Sequence, residues 1–171
     1  MRRERGPYRY RRLQMLEGMR DDAYWSGSKP GGPVYCPKCK AVFRNGRWSW
    51  SAAPAGAVKL RCPACRRIDE GSPAGYITLS GSFFAEHRNE VLARVKNCER
   101  KEKTTHPLER IMATKPVDDG VVVTTTSVHL ARRVAHALES AFKGTLNIAY
   151  NHQDNLLRVR WSRSADRRQE N

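Results

Sequence analysis

From residue 74 to 162 the apolar positions follow two periods in alternation. Tyr76-Ile77-Thr78-Leu79 alternates as a half-buried strand does, and Phe84, Val91, Leu92, Val95 and Cys98 then recur at helical spacing. The spacing predicts an amphipathic helix over 83–103. A second strand is expected over 108–114. Asp119-Gly120 is a turn signal before the β-branched run Val121-Val122-Val123-Thr124. Thr126 or Ser127 can cap the next helix. That helix buries Ala131, Val134, Ala135, Leu138 and Phe142, and Gly144 ends it. Two strands, over 145–150 and 156–161, follow around a polar NHQDN turn. The order β-α-β-β-α-β-β predicts an α+β domain, a ferredoxin-like split βαβ with one added strand. Cys98 falls on the apolar side of its helix and reads as a small buried hydrophobe.

Upstream the periodicity stops. Over 2–12 there are six Arg, with Tyr8 and Tyr10 among them, and Leu13, Met15, Leu16 and Met19 offer one or two helical turns. The stretch SGSKPGGP has linker composition. Residues 1–33 therefore read as a basic arm and linker, solvated alone and able to order on RNA. Residues 34–70 form a cysteine module, 74–162 the α/β domain and 163–171 a basic tail, with DEGSPAG joining the middle two.

The module contains Cys36-x-x-Cys39 and Cys62-x-x-Cys65, each with Pro after its first Cys. Two-residue spacing turns both thiolates of a knuckle toward one ion, and two knuckles complete a tetrahedron. Asn45-Gly46 between them signals a hairpin. The module reads as a four-cysteine zinc ribbon with one structural Zn2+. So short a unit buries too little apolar surface to fold alone, and the metal would supply its folding energy.

Charge alters this picture. The chain carries 32 Lys and Arg against 17 Asp and Glu, a formal net charge of +15. Such a balance attracts polyanions, and the Arg fork suits phosphate. Residues 36 to 67 contain no acid at all. Lys38, Lys40, Arg44, Arg47, Lys59, Arg61, Arg66 and Arg67 supply eight positive charges. Held by a tetrathiolate zinc of about −2, they predict a rigid phosphate-binding surface. Arg2, Arg3, Arg5, Arg9, Arg11 and Arg12 of the arm would extend it, as would Arg158, Arg160, Arg163, Arg167 and Arg168. Trp48 and Trp50 either cover the knuckle or dock on the α/β domain, or they stack unpaired bases. Arg132 and Arg133, with His129, His136 and Lys143 nearby, make the second helix either a solvated face or a second backbone contact.

Other chemistry finds little footing. No apolar run reaches the length of a membrane span, and MRRERGPYRYRR lacks the apolar core of a secretory signal. A cytoplasmic, monomeric protein without membrane or small-molecule partner is expected. No acidic cluster can hold magnesium, and neither a glycine-rich phosphate loop nor a nucleophile–base constellation is evident, so a non-enzymatic role is expected. A zinc-ribbon DNA-binding transcriptional regulator is the alternative. No recognition helix is expected beside the metal module, which weighs against it.

The stretch DGVVVTTTSVHLARRVAHALESAFKGTLNIAYNHQDNLLRVRW resembles a segment of the large-ribosomal-subunit export adaptor family of archaea and eukaryotes. In that family an acidic-Gly turn likewise leads into a strand, a helix with paired basic residues (here Arg132-Arg133) and a hairpin. A Cys-x-x-Cys zinc module stands upstream. The resemblance spans residues 34–162 and implies contact with rRNA on the interface side of the large ribosomal subunit. The family has two cysteine quartets, further β-barrel domains and an export tail, whereas this chain shows one quartet. The expectation is a shorter bacterial form, acting in subunit assembly or in ribosome protection (hibernation).

Overall fold

The computed structural model describes Tyr24 and residues 32–165. The arm arginines Arg2, Arg3, Arg5, Arg9, Arg11 and Arg12, and tail residues Arg167 and Arg168, lie outside the described residues. In the cysteine module, β1 (Val34–Tyr35), β2 (Val42–Arg44), β3 (Arg47–Ser49) and β4 (Val58–Lys59) form one sheet in the order β3-β2-β1-β4. Asn45 (φ 51) and Gly46 (φ 81) both take positive φ between β2 and β3. That is the conformation a tight hairpin turn requires, and Asn-Gly adopts it at least cost.

A helix, α1 (Pro63–Glu70), follows directly on the second cysteine pair, where a plain knuckle and then a linker were expected. A helix therefore adjoins the module, where no recognition helix was expected. The same Cys-Pro-x-Cys residues explain it: Cys62 Sγ accepts from Cys65 N–H as the N-cap, and Pro63 stands at the helix start. Proline suits that position because its φ is already helical and its missing N–H costs nothing there. Gly71, with left-handed backbone (φ 62), closes the helix by donating to Ile68 and Arg67 carbonyls.

The second unit comprises β5 (Gly75–Ser80), α2 (Ser82–Glu86), α3 (Arg88–Thr105), β6 (Ile111–Val117), β7 (Gly120–Thr125), α4 (Val128–Phe142), β8 (Thr145–Asn151) and β9 (Leu156–Ser162). Its sheet order is β6-β7-β5-β9-β8. β7 lies between β5 and β6, antiparallel to both. β9 slots in parallel to β5, with Ile77 opposite Val159, and leaves β8 on the edge.

Two element boundaries differ from expectation. The helix over 83–103 divides at His87 (φ −110, ψ 26), whose ring stacks on Phe83 at 4.3 Å, and its second part runs on to Thr105. The strand expected over 108–114 begins at Ile111, because the preceding residues turn toward the cysteine module.

The core explains the alternation. Ile77, Leu79, Val121, Val123, Val159 and Trp161 project from one sheet face against Val91 and Val95 of α3 and Leu130, Val134 and Leu138 of α4. Burying a side chain of this size contributes roughly 1.5–3 kcal/mol. Trp161 is fully buried, and its ring N–H donates to Lys143 O at 2.7 Å. The intervening positions, Tyr76, Thr78, Arg158 and Arg160 among them, point to the opposite face and stay half-buried or exposed.

Candidate metal centre

Cys36 and Cys39 flank the turn that leads into β2, and Cys62 and Cys65 open α1. The four sulfurs all lie within 4.8 Å of one another, and the quartet could hold one metal ion. Three of the four cysteines are buried. Cys39 Sγ and Cys62 Sγ stand 3.6 Å apart. Ligands at about 2.3 Å from a tetrahedral ion would be separated by about 3.8 Å, so the donor set fits such an ion in number, chemistry and spacing. Two backbone N–H groups point at the sulfurs: Cys62 N donates to Cys36 Sγ at 3.3 Å and Cys65 N to Cys62 Sγ at 3.4 Å. These donors favour thiolate over thiol.

Proton sharing within the quartet is uneven. The hydrogen bond with Cys62 lowers the Cys39 thiol to about 4; burial opposes this and Arg110 assists it. Cys62 is pushed up by its bond with Cys39 and by burial. Burial also raises Cys65, against the hydrogen bonds from Cys62 and Arg110.

Arg110 reaches this cluster from the other unit. It is only 9% exposed, yet among the described residues no carboxylate pairs with its guanidinium. Nη1 donates to Cys65 Sγ at 3.4 Å and Nε to Pro107 O at 2.7 Å. Nη2 is buried with no hydrogen-bond partner among the described residues. A buried guanidinium requires compensating negative charge, and the sulfur cluster is the charge within reach. Thr126 fixes the Arg110 backbone, accepting from its N–H at 2.9 Å while Thr126 N–H donates to its carbonyl at 2.9 Å. Leu108 packs on the same cluster.

The structure distributes the expected cationic surface unevenly. Lys40, Arg44, Arg47 and Lys59 are exposed. Lys38 and Arg61 instead converge on Asp69 of α1, Arg61 at 2.6 Å. Arg66 lies 3.9 Å from Glu70. Arg67 is 5% exposed, donates to Ser72 O at 3.0 Å and lies under the Tyr24 ring at 4.1 Å. It is part of the module's interior and not of its outward face. Asp69 and Glu70 sit just beyond the acid-free stretch and become its neighbours once α1 folds back. On α4, Arg133 is exposed and lies 3.7 Å from Glu102, and Arg132 is half-buried.

The two ribbon tryptophans diverge. Trp48 packs on the cysteine cluster and meets Phe43 at 5.6 Å between ring centroids. Trp50 donates to Lys103 O at 2.6 Å, and Arg110 lies 5.9 Å from its ring centroid. Trp50 is therefore a bridge between the two units.

Pattern reading did not reach the cleft between α1 and the start of α4. It is small, about 90 Å³, and includes Arg67, Glu109, Ser127 and His129 in its lining. Ser127 donates to Glu109 and accepts from Leu130 N at 3.0 Å. Its hydroxyl is thus committed to capping α4. Burial pushes Glu109 up, with the Ser127 bond opposing, and pushes His129 down, Arg132, Arg133 and His106 adding to the effect.

Comparison with protein-family models, curated proteins and solved structures finds no match to this chain. Among the described residues no helix is long and apolar enough to cross a membrane.

Proposed function

We propose that this is a non-enzymatic, zinc-binding rRNA-binding factor of the large ribosomal subunit, acting in subunit assembly or in ribosome protection. The metal is Zn2+, held by Cys36, Cys39, Cys62 and Cys65 with no open position, so its chemistry there is structural. The second unit is a ferredoxin-like domain in which a β8–β9 hairpin replaces the final single strand. The family resemblance, to the large-subunit export adaptors, supplies the ribosomal part of this reading.

One observation carries the proposal: a sulfur cluster that could hold one metal ion sits in a module whose exposed Arg44, Arg47 and Lys59 lie on a short four-stranded sheet, with exposed Lys40 in the turn before β2. Phosphate contacts of that kind give affinity that falls steeply with salt. The competing reading, a DNA-binding regulator, gains a helix beside the metal in α1. That helix has its Arg67 buried and its Asp69 carboxylate turned toward Lys38 and Arg61, which disfavours entry into a groove lined by phosphates.

Sucrose-gradient fractionation of cell lysate tests the proposal. Co-migration with large subunits or whole ribosomes is expected. Recovery only in ribosome-free fractions overturns it, and tight preference for one duplex DNA sequence would establish the regulator instead.

A further inference from the structure

We infer that the face of the five-stranded sheet opposite α3 and α4 is a second RNA contact, a platform for a single-stranded RNA segment centred on Tyr76. The inference rests on the RNA-binding reading above and adds a site and a substrate form to it. Strand registers place Arg158 beside Tyr76 on β9 and Thr124 beside it on β7. One step along, Arg160 lies beside Thr78, and Val122 connects Thr78 to Lys115 on β6. Neighbouring strands are about 5 Å apart and alternate residues along a strand about 7 Å apart. Tyr76 thus has Arg158 as its direct cross-strand neighbour and Arg160 as its diagonal one, with Lys115 farther off across β7.

Charge complementarity names the occupant. Arg158, Arg160 and Lys115 are exposed, and none makes an ion pair among the described residues. The positions paired with them on this face are Tyr, Thr, Val, Asn147 and Ala149, with no carboxylate. Sheet-face aromatics bordered by cations stack unpaired bases while the cations hold the backbone. A duplex buries its base faces and offers Tyr76 nothing to stack on. The small side chains of Thr78, Thr124 and Ala149 leave the ring accessible, and the sheet keeps its position fixed without a loop.

Fluorescence anisotropy with the full chain tests this, using a labelled 12-nucleotide oligouridine and a labelled RNA duplex as probes. Tyr76→Leu is expected to weaken oligouridine binding about tenfold and to leave duplex binding unchanged. Tyr76→Phe, which keeps the ring, should bind as the parent does; an equal loss in Tyr76→Phe overturns stacking. The pair Arg158→Gln and Arg160→Gln should lower the salt slope for oligouridine by about one to two. Circular dichroism confirms that each variant remains folded. If the parent binds duplex RNA but Tyr76→Leu and the Arg pair leave oligouridine affinity intact, the platform is wrong and the ribbon reading survives. If the parent binds neither RNA, both readings fall. Tighter binding to oligothymidine than to oligouridine overturns RNA as the occupant.

Discussion

Arg110 Nη1 donates to Cys65 Sγ across the boundary between the two units, at 3.4 Å. The contact ties the cysteine cluster to the segment that leads into β6. Outer-shell donors of this kind orient ligands and offset their negative charge. Replacing Arg110 with Met should therefore weaken metal binding about 10–100-fold. Competition against a chelator of known affinity reads this directly, and full retention of affinity would remove Arg110 from the centre.

Cys36→Ser should abolish stoichiometric metal and unfold the module, because a bound ion would supply folding energy that so small a unit cannot draw from its core. Cys98→Ala should leave metal content and RNA binding unchanged, since Cys98 sits at the edge of the α3 packing and away from the quartet. Metal analysis of both purified variants checks the contrast. A metal-free parent would refute the centre itself.

Stability should bend with pH at the small cleft. Burial raises Glu109 above its ordinary 4.5, so the native state holds that proton more tightly than the unfolded chain does. Its contribution is present below 4.5 and is lost as pH climbs through the higher native value. Burial lowers His129 from its ordinary 6.5, and its contribution is present above 6.5 and lost as pH falls toward the native value. Glu109→Gln should flatten the acidic side of a Tm-versus-pH profile from 4.5 upward, and His129→Gln the part just below 6.5. Unaltered profiles would contradict the burial argument.

Ser127→Ala removes the cap of α4 and one partner of half-buried Glu109, a combined loss of about 1–2 kcal/mol. Leu138→Ala, from the fully buried stripe of the same helix, should cost about 2–5 kcal/mol. Denaturant titration separates the two, each shifting the midpoint at constant slope.

The sequence reveals the sheet unit well because one-sided burial leaves a regular trace. Val121 and Val123 are buried while Val122 is half-exposed, and the α4 stripe repeats at helical spacing. The cysteine quartet is equally legible, since metal spacing is local. What escapes is whatever depends on chain reversal. Pro63 can begin a knuckle or a helix, and the residues before Gly71 decide for the helix. Asp69 reads as part of a linker until α1 carries it back to Lys38 and Arg61. Arg110 has no periodic signature whatever. Its role exists only because Thr126, sixteen positions away, clamps its backbone over the sulfurs.

The place of β9 has a consequence for the order in which the chain can fold. β9 follows the other strands of its sheet in the chain yet lies inside it, pairing Gly75–Ser80 along their whole length and contributing Leu157, Val159 and Trp161 to the core. Contacts so distant in sequence form slowly, since a long loop must close before they add stability. The cysteine module has shorter loops to close and can assemble around a metal ion while the sheet still lacks β9. During synthesis the metal clip would be in place first, with Arg110 arriving afterwards to find its sulfurs already set.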